Sequence, residues 1–137
     1  MRSLQLTCLL AVATATLADS TQSYKDAMGP LVRECMGSVS ATEDDFKTVL
    51  NRNPLESRTA QCLLACALDK VGLISPEGAI YTGDDLMPVM NRLYGFNDFK
   101  TVMKAKAVND CANQVNGAYP DRCDLIKNFT DCVRNSY

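Results

Sequence analysis

The chain has 137 residues, with 14 Lys and Arg against 16 Asp and Glu, a formal net charge of −2, and no histidine. The two signs are interspersed, so there is neither a basic stripe for nucleic acid nor a charged tail. The missing histidine excludes Ser-His-Asp and Cys-His catalysis, lipase chemistry built on a His–Asp pair, and histidine-bound zinc.

In chain order, Arg2 precedes an apolar run from Leu4 to Ala13, and Thr16-Leu17-Ala18 supplies small residues after it. This is the pattern of a secretory signal peptide, and the run is too short for a span of about 20 residues. Cleavage is expected after Ala18. Residues 1–18 are then a leader that takes Cys8 with it, and residues 19–137 form one domain carrying about −3 charge. No later apolar run approaches membrane length, so membrane insertion is not expected.

Tyr24, Ala27, Met28, Leu31, Val32, Cys35 and Met36 recur at helical spacing. Gly29-Pro30 interrupts them and implies either a kink or two short pieces. Ser40-Ala41-Thr42-Glu43 reads as a capping box, with Asp44 and Asp45 in the first turn of a second helix of about ten residues. Asn51-Arg52-Asn53-Pro54 ends it. Ser57 is the expected cap of a third helix, which Gly72 stops. Leu73–Gly78 reads as a turn and Ala79-Ile80-Tyr81 as extended.

Thr82-Gly83-Asp84-Asp85 is expected to open a fourth helix, with Pro88 inside its first turn and Gly95 at its end. A fifth helix runs from about Asp98, capped by Asn97, to Asn116, with Gly117 after it. Its apolar members drift round the axis, so its buried face is not defined. Pro120 is expected at the first position of a sixth helix, with Cys123, Ile126, Phe129, Thr130 and Val133 on one face. The paired carboxylates Asp44/Asp45 and Asp84/Asp85 stand at helix starts, where capping accounts for them. The fold class is therefore all-α, and no enzyme, metal site or cofactor is expected.

The third helix carries Gln61-Cys62-Leu63-Leu64-Ala65-Cys66-Ala67-Leu68, apolar on every side and hence buried. Its cysteines sit one turn apart with Cβ atoms about 5–6 Å apart, whereas a disulfide needs about 3.5–4.5 Å. Each must therefore reach a different part of the chain. The remaining cysteines are Cys35, Cys111, Cys123 and Cys132. An even count in an exported domain reads as a disulfide framework, and without C-x-x-C or histidine it does not read as zinc. Excluding the Cys62–Cys66 pair still leaves most pairings open.

With six helices, a leader and the pattern Cys35-x26-Cys62-x3-Cys66-x44-Cys111-x11-Cys123-x8-Cys132, the chain resembles the six-cysteine insect odorant-binding proteins, the pheromone and general odorant-binding family. The intervals of three and eight are that family's hallmarks. The resemblance covers the whole of residues 19–137. It implies the pairs Cys35–Cys66, Cys62–Cys123 and Cys111–Cys132, and six disulfide-linked helices around an apolar cavity. It also implies a secreted carrier that binds small hydrophobic odorants or pheromones non-covalently and brings them through aqueous fluid to a membrane receptor. A weak homodimer is a further expected association. The alternatives are a non-olfactory binder or scavenger in haemolymph, saliva or reproductive fluid, and a membrane-active saposin-like domain, which the acidic balance and the cysteine intervals disfavour.

The candidate lining comprises Leu64, Leu68, Ile74, Ile80, Leu86, Met87, Met90, Leu93, Tyr94, Phe96, Met103, Phe129 and Tyr137. Met87, Met90 and Met103 suit a tolerant wall, since thioether side chains adapt to differently shaped partners. The hydroxyls of Tyr81, Tyr94 and Tyr137 are candidate polar anchors. Only Val133–Tyr137 follows Cys132, so a short C-terminal lid with Tyr137 near the mouth is expected, without a histidine switch. Asn128-Phe129-Thr130 is an N-glycosylation sequon, though it falls inside the sixth helix with Phe129 on the buried face.

Overall fold

The computed structural model describes residues 19–95 and 99–136. The expected leader, the Asn97 cap, and Phe96 and Tyr137 lie outside them. Six α-helices are present among the described residues: α1 (Asp19–Val39), α2 (Glu43–Leu50), α3 (Arg58–Val71), α4 (Met87–Tyr94), α5 (Phe99–Val115) and α6 (Arg122–Asn135). The one β feature there is an isolated antiparallel bridge, Ile74 to Ile80.

α1 runs unbroken through Pro30, so neither a break nor a second start occurs. Proline removes one helical donor, but Pro30 and Asp26, one turn back, are both exposed, and water can satisfy the freed carbonyl. The opposite face buries Tyr24, Met28, Val32 and Cys35. The turn into α2 corrects the expected capping box. Thr42 is the N-cap, and the reciprocal partner is Asp45, not Glu43. Ser40 instead takes a left-handed φ of 57° and so stands outside the cap.

Asp45 goes beyond capping. It is buried, accepts from the Ser57 hydroxyl at 2.8 Å and the Thr59 hydroxyl at 2.6 Å, and so ties α2 to the start of α3. Ser57 in turn caps α3 by accepting from the Ala60 N–H, and Gly72 ends the helix at φ 92°, where glycine carries no Cβ penalty.

α3 packs against α1, α2 and α6. It buries Leu63, Leu64, Ala65, Ala67, Leu68 and Val71 and leaves both cysteines half-buried. The disulfides are Cys35–Cys66, Cys62–Cys123 and Cys111–Cys132, with Cα separations of 6.0, 4.6 and 5.7 Å. They join α1 to α3, α3 to α6, and α5 to α6.

Beyond Gly72 the chain makes a small hairpin. The Tyr81 N–H donates to the Leu73 carbonyl, and the amide of Asn116, just past the end of α5, clamps Ile80 by both its N–H and its carbonyl, each at 2.9 Å. A 3₁₀ turn at Gly83–Asp85 follows, and α4 begins only at Met87, with Leu86 as an N-cap that makes no side-chain bond. Asp84 and Asp85 therefore do not cap α4, although Pro88 does fall in its first turn. At α6 the cap is Asp121, which accepts from the Cys123 and Asp124 N–H groups. Pro120 precedes the cap and is not the first helical residue.

Candidate ligand cavity

A cavity of about 290 Å³ lies between all six helices. Helical spacing explains which side chains reach it. Leu64 and Leu68 lie one turn apart on α3, as do Lys104 and Val108 on α5. α4 supplies Met90, Leu93 and Tyr94; α6 supplies Phe129, Thr130, Val133 and Arg134. Tyr24 of α1, Val49 of α2 and Leu73 of the hairpin complete the interior, with Arg52, Asn53 and Leu55 of the α2–α3 loop at its edge.

Polarity follows exposure. Val49, Leu55, Leu64, Leu68, Leu73, Met90, Leu93, Val108 and Phe129 are buried. Arg52 and Asn53 are exposed, and Lys104, Thr130 and Arg134 are half-buried. The cavity thus has a largely apolar interior and a mouth edged by polar and cationic side chains, with no carboxylate among the described residues that line it. Such a site favours a mostly apolar guest with few polar atoms.

Two tyrosines and one arginine form the polar corner. The Tyr24 and Tyr94 rings stack with centroids 5.9 Å apart. The Arg52 guanidinium lies 5.0 Å from the Tyr24 centroid and 6.0 Å from that of Tyr94, and Lys104 Nζ lies 4.4 Å over Tyr94. Burial pushes both phenols above their ordinary range, Tyr94 also feeling the neighbouring Arg52 in the opposite sense. Both therefore stay protonated at any physiological pH and remain hydrogen-bond donors. The Tyr24 hydroxyl points its one hydrogen at the Val49 carbonyl from 3.5 Å, longer than the usual O–H···O range, so a closer acceptor in the cavity can take it over.

Among the residues expected from sequence, the structure brings Leu64, Leu68, Met90, Leu93, Tyr94 and Phe129 together in the lining. Four others are corrections. Ile74 and Ile80 are buried in the hairpin bridge, away from the cavity. Leu86 and Met87 edge a separate shallow groove with Gly83, Val102 and Ala105. Met103 is a fifth: it is 49% exposed, because the cavity face of α5 passes through Lys104 and Val108, and its neighbour points elsewhere. Only Met90 of the three methionines lines the cavity. Tyr81, a candidate anchor, is also absent from the lining.

Sequence reasoning missed several members. Tyr24 and Val133 stand on the apolar stripes of their helices, which do not tell a lining residue from ordinary core, and Arg52 and Asn53 belong to a helix stop. At the sequon, the Asn128 amide donates to the Asp124 carbonyl and the Thr130 hydroxyl to the Lys127 carbonyl. Both groups are thus engaged within the helix.

The PBP/GOBP family model matches residues 17–136. Two Drosophila melanogaster proteins are related in sequence. General odorant-binding protein 28a is 23% identical over 113 residues, 80% of this chain and 77% of its own length. General odorant-binding protein 19d is 22% identical over 132 residues, 95% and 85%. A solved structure of a pheromone binding protein from the cockroach Leucophaea maderae, in complex with the fluorescent reporter ANS, is 99% identical. It covers 87% of this chain and 99% of its own, with a TM-score of 0.83. The Drosophila odorant-binding protein OBP28a structure, 20% identical over 84% of this chain and 93% of its own, shares the fold with a TM-score of 0.67.

Proposed function

The chain belongs to the PBP/GOBP family, and from that premise we propose that it carries a pheromone or odorant with an apolar body and one oxygen acceptor. The observation that carries this reading is the cavity itself: about 290 Å³, apolar within, with its donors gathered at the mouth. The guest's apolar part displaces poorly held water from against Leu64, Leu68, Met90 and Phe129, a gain of about 25 cal/mol per Å² of apolar surface removed from water. Its oxygen accepts from the Tyr24 or Tyr94 hydroxyl or from Arg52. No bond is made or broken, so release is as simple as entry. The pheromone role of the nearly identical cockroach protein, and its uptake of ANS, support extending both to this chain.

Export as residues 19–137 belongs to the same proposal. The leader pattern supports it. Among the described residues no helix is long and apolar enough to cross a membrane. Delivery to a membrane receptor and weak self-association complete the reading.

Titration with the neutral fluorophore N-phenyl-1-naphthylamine, followed by displacement with volatile alcohols, esters and long-chain aldehydes, tests it. We expect saturable one-to-one uptake and displacement that improves with an oxygen acceptor. Uptake indistinguishable from that of heat-denatured chain would overturn the carrier reading.

A further inference from the structure

Arg134, near the end of α6, reaches across the mouth of the cavity. Its Nη2 donates to the backbone carbonyl of Arg52 at 3.2 Å, a contact between residues 82 positions apart. Its Nη1 meets Asp131 Oδ1 at 3.4 Å, which steadies the side chain on its own helix. Both arginines line the cavity and both lie on its exposed side. No disulfide reaches α2 or the loop after it. Among the described residues, the Arg134 side chain links that loop to α6 by a hydrogen bond.

Arg52 has φ 56°, the left-handed position that closes α2: its N–H donates to the Val49 carbonyl and the Asn53 N–H to the Thr48 carbonyl, the Schellman pattern of a helix end. Here the conformation lets one residue do two things. Its carbonyl accepts from Arg134, and its guanidinium lies over the Tyr24 and Tyr94 rings.

We propose that Arg134 is a positioning residue that straps the α2–α3 loop across the mouth of the cavity and so sets how long a bound molecule stays. A guest leaving past the exposed side must separate the loop from α6, and the strap is what holds them. Loosening it opens the path in both directions. Association and dissociation then quicken together, and the equilibrium affinity for a neutral guest moves less than either rate. The inference rests on the carrier reading of the cavity.

Stopped-flow kinetics with N-phenyl-1-naphthylamine test it, on the unmodified chain, Arg134→Met, Arg52→Gly and the double variant. Methionine keeps the unbranched apolar stem and removes the donor. Glycine keeps the left-handed turn without penalty and removes the guanidinium. We expect Arg134→Met to raise the dissociation rate about tenfold, with Kd changing by less than that factor. Arg52→Gly keeps the backbone carbonyl that Arg134 reaches, so Arg134→Met should quicken dissociation by the same factor in the Arg52→Gly background, whatever the lost guanidinium does to affinity. A dissociation rate in Arg134→Met equal to that of the unmodified chain overturns the strap. So does an Arg134→Met effect that vanishes in the Arg52→Gly background, which would mean that Arg134 acts on the Arg52 side chain and not through its carbonyl. Absence of probe uptake by the unmodified chain would sink the carrier reading and the strap with it, whereas uptake with unchanged rates sinks the strap alone.

Discussion

The two sides of the cavity are built differently. One side is a frame of α1, α3 and α6 joined by Cys35–Cys66 and Cys62–Cys123. Around the second bond Arg58 bridges Asp121 and Asp124, and Arg122 meets Asp69. These ion pairs are half-exposed and add little individually, but they tie the start of α6 to both the first and the last turn of α3. The other side comprises the hairpin, the 3₁₀ turn and α4, with no cysteine between Cys66 and Cys111. It is held by packing and by two asparagines: Asn116, just past the end of α5, on Ile80, and Asn109 of α5, which accepts from the Gly83 N–H at 2.8 Å. Leu64, Leu68 and Phe129 come from the frame; Leu73, Met90, Leu93 and Tyr94 come from the uncross-linked side. A small domain can thus keep an underfilled interior, because covalent bonds hold one wall while the other adapts.

Breaking the frame should have the largest effect. The Cys62→Ala/Cys123→Ala pair removes a bond spanning 61 positions, and loss of that constraint on the unfolded chain costs about 4 kcal/mol. Urea unfolding should show the fall, and the variant should still take up probe while folded. An unchanged midpoint would mean that the frame does not depend on its cross-links. Within α3 a sharper contrast is available. Leu63 is fully buried in packed core, whereas Leu64 borders the cavity. Leu63→Ala should cost about 3 kcal/mol and leave probe affinity alone, while Leu64→Ala should cost about 2 kcal/mol, having fewer contacts to lose, and change affinity. Equal effects on both measures would mean that the cavity is an ordinary part of the core.

The frame was the legible side. Periodicity and caps located α1, α3 and α6, and the family resemblance paired Cys62 and Cys66 with the partners the structure shows. Leu64, Leu68 and Phe129 followed from apolar helix faces. The adaptable side was less legible, because its placement depends on contacts distant in sequence. Ile74 and Ile80 are as apolar as any lining residue, yet they pack in the hairpin that Asn116 clamps from 36 positions away. Met87 and Met103 have the right chemistry but face a surface groove and solvent. The mouth was legible least of all. The Asn51-Arg52-Asn53-Pro54 stop marks where the left-handed turn falls, but not that it carries the arginine over the Tyr24 and Tyr94 rings.

On the adaptable side, Asn116→Ala should cost about 1–2 kcal/mol, since it leaves the Ile80 N–H and carbonyl without their partners. Hydrogen exchange should quicken at Ile80 and Tyr81 more than in α3. Asn116→Asp keeps the acceptor for the Ile80 N–H but sets a carboxylate oxygen against the Ile80 carbonyl, and should be no better than alanine. Exchange that rises equally across the molecule would show that this side is no more independent than the frame.

The smallest effect concerns acid. The Thr59 hydroxyl, then the Thr42 backbone N–H and the Ser57 hydroxyl, hold the Asp45 carboxyl below its ordinary range, against the opposing pull of burial. The folded state thus binds the proton more weakly than the unfolded chain, whose Asp titrates near about 3.9. Asp45 therefore contributes its full stabilisation above about pH 5 and loses it as pH falls below about 3.9, through the lower folded value. Asp45→Asn should cost about 1 kcal/mol as a weakened cap and flatten the fall in the urea midpoint between about pH 5 and about pH 3. The same logic bears on release. With no histidine in the chain, and with the hinge between α2 and α3 resting on a carboxylate that stays ionised in mild acid, probe affinity should hold constant from about pH 7.5 to about pH 5.5. A cooperative release centred near about pH 6.5 would require a titrating group on the adaptable side, and would make that side, not the strap at the mouth, the point of control.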